Sequence, residues 1–278
     1  MGIHGVAPAR SIRAQEGRRS HERHAVTTGP MRFRVMTYNI HRAIGIDRRF
    51  RPERVSRIIQ TYEPDIVLLQ EVDDGVPRSR RLDLARELAA STGYPHLAVG
   101  HNVTLRKGRY GNATLSRHPI LLERNIDLTI GASKRRGCQH TAITLQGPAS
   151  RTHHLEVFNL HLGLSARERE QQVLLLAQSR ELASLAPDLA CLVAGDFNDW
   201  RSQLTPLFTG PLRFRSATES TRRGEKTFLT YPSFFPRGPL DRIYYRGPLE
   251  LFGAKRCRLR ISRLASDHLP IIADFEIP

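Results

Sequence analysis

A chain of 278 residues is long enough to bury one large core or two small ones. Its 40% hydrophobic and 25% charged residues exclude a disordered class, and apolar runs such as 66–69 and 173–177 fall far short of the roughly 20 residues that span a bilayer. A formal charge of +16 points to anionic partners (nucleic acid, an anionic membrane surface or a phosphorylated small molecule), although an arginine-rich genome would leave the same surplus.

Residues 1–30 read as a disordered basic tail: rich in Arg, Ser, His and Gly, with Pro8 and Pro30 and no hydrophobic period, they cannot bury a core. No apolar stretch follows Arg18 and Arg19, so the segment is not a secretory signal. It reads as a solvated tail or as an arm that grips nucleic acid. Met31 opens a clear strand pattern and is a candidate start of translation.

From Met31 onward, apolar runs of strand length fall at 34–40, 65–72, 96–100, 113–120, 141–146, 155–162, 190–194, 242–246 and 270–277. Between them, 52–62 carries Val55, Ile58 and Ile59 at helical spacing. The stretch 81–91 sets Leu84, Ala85, Leu88 and Ala89 on one face and stops at Gly93. Ser165-Ala-Arg-Glu168 has the form of a capping box and opens a helix expected to run to about residue 185, before Pro187. No repeat or linker interrupts 31–278, so one α/β domain is expected, two sheets packed together and flanked by helices. Cys138, Cys191 and Cys257 are odd in number, widely spaced and without a CxxC pair. That argues against a disulfide framework or a cysteine zinc site and fits a reducing cytoplasm.

The polar residues are not scattered. Tyr38-Asn39-Ile-His41, Gln70-Glu71, Asn159-Leu-His161 and Gly195-Asp196-Phe-Asn198-Asp199 each close an apolar strand run, and Ser266-Asp267-His268 precedes one. Strand ends can converge on one rim of a sheet, where sites in layered α/β proteins collect. A single Asp or Asn at a strand end is more often a turn former than a ligand. Five clusters of one chemical kind are harder to explain that way. Phe197 and Trp200 are expected to be packing residues, and His153-His154 a strand start without zinc-ligand spacing.

Thr37-Tyr-Asn-Ile40, Leu69-Gln-Glu-Val72, Asn159-Leu-His161, Ala194-Gly-Asp-Phe-Asn198, Leu240-Asp-Arg-Ile243 and Ser266-Asp-His268 together resemble the ordered motifs of the endonuclease/exonuclease/phosphatase superfamily. The resemblance covers about 31–278 and is strongest to small bacterial hydrolases of that group. It implies a four-layered α/β sandwich with two mainly antiparallel sheets face to face. It also implies a divalent-metal-dependent hydrolase that cleaves a phosphodiester by water attack. Glu71, with Asn39 beside it and Asp267 direct or through water, would hold Mg²⁺ or Mn²⁺, whose preference for hard oxygen ligands this set meets. Asp196 would orient or deprotonate the water, and Asn198 would donate to a phosphate oxygen. His268, held by Asp241, would stabilise the transition state, and His161 would be a second imidazole on the phosphate or leaving group. Arg136 resembles an arginine near the phosphate, or is a solvated basic turn. Asn112 lines the same rim, or merely shapes the turn after Gly111.

The substrate class stays open between nucleic acid and a phospholipid or other small phosphodiester. Val72-Asp-Asp-Gly75 stands where abasic-site endonucleases usually carry Thr-Lys, and Gly195-Asp-Phe-Asn198 where inositol phosphatases usually read Gly-Asp-Leu-Asn. A non-catalytic polyanion-binding module on the same scaffold would be expected to lose Glu71, Asp196 or His268, and all three are present. A serine hydrolase would need a Gly-x-Ser-x-Gly elbow, which the chain lacks.

Overall fold

The computed structural model describes residues 1–2, 30–147, 151–219 and 227–278. The expected tail therefore lies, but for its ends, outside the described residues. Two six-stranded sheets make the framework. The first has β1 (Met31–Asn39) and β2 (Ile66–Asp74) at its centre, with β3 (His96–Thr104), β4 (Arg109–Ser116), β11 (Glu250–Arg256) and β12 (Ile271–Ile277), in the order β11-β12-β1-β2-β4-β3. The second contains β5 (Ile120–Asp127), β6 (Gly137–Gln146), β7 (Thr152–His161), β8 (Cys191–Asp196), β9 (Arg215–Ser216) and β10 (Asp241–Arg246), in the order β5-β6-β7-β8-β10-β9. Each sheet is antiparallel except for one central pair, β1 with β2 and β7 with β8.

Parallel neighbours need a crossover, and the helices supply it. Helix α1 (Pro52–Tyr62) joins β1 to β2, while α3 (Ala166–Gln178) and α4 (Arg180–Ala183) join β7 to β8. The shorter α5 (Thr205–Thr209) follows β8, α6 (Ser262–Ala265) precedes β12, and α2 (Leu84–Thr92) covers β2. Alternate side chains of each strand then serve two cores. Phe33, Val35, Ile66 and Leu68 meet Leu155, Val157, Leu192 and Ile243 between the sheets. Met36, Tyr38, Val67 and Leu69 turn outward onto Val55, Ile58, Ile59 and Leu88 of α1 and α2. Phe158, Leu160 and Val193 do the same against Val173, Leu176 and Phe208 on the other flank. This is the four-layered sandwich that the resemblance implied, and burial on both faces is why the central strands read as unbroken apolar runs.

Several local expectations need correction. The run 113–120 is not one strand. β4 ends at Ser116, whose hydroxyl accepts from the His118 N–H (3.0 Å), and β5 starts at Ile120. The helix after Ser165 breaks at Ser179, whose extended backbone and hydroxyl cap a new short helix. Ser165 sits at the N-cap but its side chain makes no capping hydrogen bond, and Glu168 accepts from Gln172 Nε2 at 3.2 Å. Trp200 is half-exposed and packs only in part, against Tyr231 and Gly238, whereas Phe197 is fully buried.

Candidate active site

Because β1 runs parallel to β2 and β7 to β8, the C-terminal ends of all four strands reach the same rim, and the antiparallel β10 and β12 bring their first residues there. Buried amides hold the two sheets in this alignment. Asn159 accepts from Gln70 Nε2 (2.8 Å) and donates to the Leu69 and Ala113 carbonyls across the sheets (3.1 and 3.0 Å). Asn112 donates to the Asn159 and Gly137 carbonyls (2.9 and 3.3 Å), which commits its amide protons to the framework. Gly195, at φ +144°, lets β8 lie close to β7, since a Cβ there would strike the Leu160 carbonyl.

Asp196, at the end of β8, is the centre of the polar cluster. Its Oδ1 accepts the Asn198 N–H (2.9 Å), and its Oδ2 accepts from Asn39 Nδ2 (2.9 Å) at the end of β1. The same oxygen lies 3.4 Å from His161 Nε2 and 3.7 Å from His268 Nε2. Asp241 is the cross-strand partner of Asp196, and its Oδ2 is 2.9 Å from His268 Nδ1. Ser266 fixes the approach of that histidine, accepting its backbone N–H (3.1 Å) and donating to the Asn39 carbonyl (2.7 Å). Asn198, in a left-handed conformation, donates its side-chain amide to the Leu162 carbonyl (2.9 Å).

Burial sets the charge states. It raises Asp196 above the ordinary carboxylate range to about 6, opposed by His268 and by the donors Asn39 and Asn198. Burial would push His268 down, but the carboxylates of Asp241 and Asp196 lift it to about 10, so the ring is an imidazolium at neutral pH. His161 goes the other way. Burial, with the positive charges of Arg136, His268, Lys134 and Arg42 around it, holds it well below its usual value and therefore neutral.

Glu71 is turned out of the strand alternation by an irregularity in the pairing of β2 with β4, and its backbone is left-handed (φ 58°). Its Oε2 is buried with no hydrogen-bond partner among the described residues, and lies 3.3 Å from Arg42 Nε. Arg42 belongs to a turn, His41–Ala43, whose three residues all have positive φ. In that turn His41 Nδ1 lies 3.8 Å from Asp267 Oδ1. Glu71 and Asp267 thus face one short segment that begins two residues after Asn39. Asn39 Oδ1 accepts the His41 N–H (3.0 Å) and keeps one lone pair free.

A second oxygen-and-nitrogen cluster lies beside this one, with an atom each of Asp196, Asp241 and His268 within 4.8 Å of one another. A cation there would have to displace a ring proton of His268, whose Nδ1 is bonded to Asp241 and whose Nε2 faces Asp196, and an imidazolium has no lone pair to give. Glu71, Asn39 and Asp267 offer neutral or anionic oxygens without that cost, and they fit Mg²⁺ or Mn²⁺ better.

Arg136, just before β6, completes the rim beside His161. It lines a narrow cleft, with room for little more than one water molecule, together with Asn102, Tyr110, Asn112 and His161, and its Nε is buried without a partner among the described residues. Arg42 and Lys134 are the additions that sequence reasoning missed. Arg42 directly follows a motif that was read, but its direction depends on the left-handed turn, which nothing in the residue types announces.

Residues 36–268 match the Endonuclease/Exonuclease/phosphatase family. The chain is 32% identical over 256 residues to the uncharacterized protein YbhP of Escherichia coli (strain K12), covering 88% of this chain and 96% of that one. Among solved structures it is similar to an endonuclease/exonuclease/phosphatase from Bacteroides vulgatus, with a TM-score of 0.70 and 19% identity over 89% of this chain and all of that one. It is also similar to truncated Caenorhabditis elegans TDP2, with a TM-score of 0.65 and 22% identity over 88% of this chain and 98% of that one. Likeness at these identities carries the fold alone. The matched span encloses all the strand-end residues from Asn39 to His268, and the chain belongs to the endonuclease/exonuclease/phosphatase family.

Proposed function

We propose that the protein is a divalent-metal-dependent hydrolase that cleaves a phosphodiester by attack of water on phosphorus, its substrate a nucleic acid or a phospholipid-like small diester. The observation that carries this reading is the approach of Asn39, His161 and the Asp241–His268 pair to one carboxylate, Asp196. Glu71, Asn39 and Asp267 would hold Mg²⁺ or Mn²⁺, and the Glu71 oxygen that accepts no hydrogen bond among the described residues, with only the Arg42 guanidinium 3.3 Å away, supports that assignment. When bound, such a cation polarises a phosphate oxygen and offsets charge that develops on it.

The chain's own groups do the rest. Asp196, lifted towards neutrality by burial, takes a proton from water aligned against its Oδ2. The His268 imidazolium, tied through Nδ1 to Asp241, presents a fixed positive charge to the phosphate as negative charge builds. Neutral His161 donates a hydrogen bond rather than a charge. Arg136 supplies a guanidinium fork, and Asn198 its remaining amide proton. Asn112 shapes the Arg136 cleft and takes no phosphate, since its protons are committed elsewhere. The three cysteines are free and buried, which suits a reducing cytoplasm, and no helix among the described residues is long and apolar enough to cross a membrane.

Purified protein should hydrolyse bis-p-nitrophenyl phosphate, lose that activity in EDTA and regain it with Mg²⁺ or Mn²⁺. Full turnover in chelator would remove the metal from the mechanism, and no turnover with either ion would favour a polyanion-binding module.

A further inference from the structure

Large apolar side chains collect on one side of the active-site mouth. Trp200 is 50% exposed, Phe234 59% and Phe235 57%. Tyr231 and Gly238 exchange backbone hydrogen bonds (3.1 and 2.8 Å) and close a tight turn that carries both phenylalanines. Trp200 stands edge-on to Tyr231 (5.6 Å between rings) and lies against Gly238, where a Cβ would come within 2.8 Å of the indole. This turn is built into the catalytic rim. Tyr231 lies 5.0 Å from the His268 ring, and the Ser233 N–H donates to the Asp267 carbonyl at 2.7 Å. Ile46, 42% exposed, donates its backbone N–H to the Leu264 carbonyl (3.2 Å), one residue from Arg263. Exposed arginines belong to the same segments: Arg237 lies over Phe235 (4.4 Å), Arg201 follows Trp200 in the chain, and the backbone carbonyl of Arg263 accepts from the Ser233 hydroxyl (3.0 Å).

Contiguous exposed aromatics at a site mouth mark a surface that something else covers. Aromatic tips with an arginine over one of them and others in the same segments match the boundary between acyl chains and anionic headgroups, and the charge of +16 adds long-range attraction. A nucleobase platform fits less well, because a strand stacks successive bases on several rings with open faces. Here Arg237 covers one face of Phe235, while Tyr231 and Gly238 engage Trp200.

We propose that this rim docks the protein on an anionic lipid bilayer, with Phe234 and Phe235 entering the headgroup boundary and the active-site mouth facing lipid phosphate. That the phosphodiester so reached is the substrate rests on the hydrolase reading above; the docking itself does not.

Trp200 is the chain's single tryptophan, so its fluorescence reports on this surface in the unaltered protein. Adding vesicles of phosphatidylcholine and phosphatidylglycerol should shift its emission to the blue, and brominated acyl chains should quench it, with much weaker effects on pure phosphatidylcholine. The double variant Phe234→Ser/Phe235→Ser should bind anionic vesicles at least about tenfold more weakly. Phe234→Trp/Phe235→Trp should bind them like the parent, which separates lost docking from misfolding. Absence of parent binding would overturn the proposal, as would a serine variant that binds equally well. So would a variant that loses affinity for a single-stranded oligonucleotide but not for vesicles. Hydrolysis of soluble bis-p-nitrophenyl phosphate by the parent is read separately: its absence would sink the hydrolase reading and leave the docking result standing.

Discussion

Asp196 and Asp241 face each other across β8 and β10, and a single histidine lies between them. The Asp241 bond to Nδ1 fixes which ring nitrogen points at Asp196 and keeps the ring charged against its burial. In chelated protein, His268 should therefore still be an imidazolium at pH 8, as seen in its ring ¹⁵N shifts, and Asp241→Asn should let it lose that proton below neutrality. An unprotonated His268 at pH 8 in the parent would contradict the charge assignment. The folded value, about 10, lies above the unfolded one of about 6.5. The stability this pair contributes is thus fully present below pH 6.5 and is lost as pH rises through 10. For chemistry, Asp196→Asn and His268→Ala should each lower turnover at least about 100-fold while the thermal melt is retained. Near-parental turnover in either variant would take that residue out of the mechanism.

Among the elements, β2 shows how the site was made at some expense to the sheet. Its pairing with β4 is regular to Leu69 and resumes at Val72, and the interruption swings Glu71 to the rim in a left-handed conformation that costs a non-glycine residue about 1–2 kcal/mol. Glu71→Gly should therefore melt at no less than the parent, with a gain of up to about 1 kcal/mol. It should also lose the stabilisation that Mn²⁺ gives the parent. A large destabilisation would mean that Glu71 is a structural residue. The same strand explains what was legible beforehand. Ile66 to Leu69 is buried on both faces, so its apolar run and polar end stood out. The edge strands β5 and β11 did not. Ile120–Asp127 is largely exposed, Glu250–Arg256 is at most half-buried, and both carry adjacent charges, so neither shows a hydrophobic period. Asn159 was read only as part of a strand-end motif; its role in tying the sheets together depends on a partner strand 90 residues away.

At the scale of the whole molecule, the reading requires that two sheets with separate cores deliver their polar ends to one place. Asn39, Glu71 and Asp267 come from the first sheet or its approach, while His161, Asp196 and Asp241 come from the second. The order of motifs in the chain could suggest that convergence but not its geometry, because the crossing of Asn39 to Asp196 spans 157 positions. Arg42 and Lys134 surround it with positive charge that only the folded chain brings there. The most direct test is anomalous diffraction from crystals grown with Mn²⁺. The account predicts a peak coordinated by Glu71 with Asn39 and Asp267, and next to Asp196 rather than upon it. A peak centred on Asp241 and His268, or none at a saturating concentration of the ion, would contradict it.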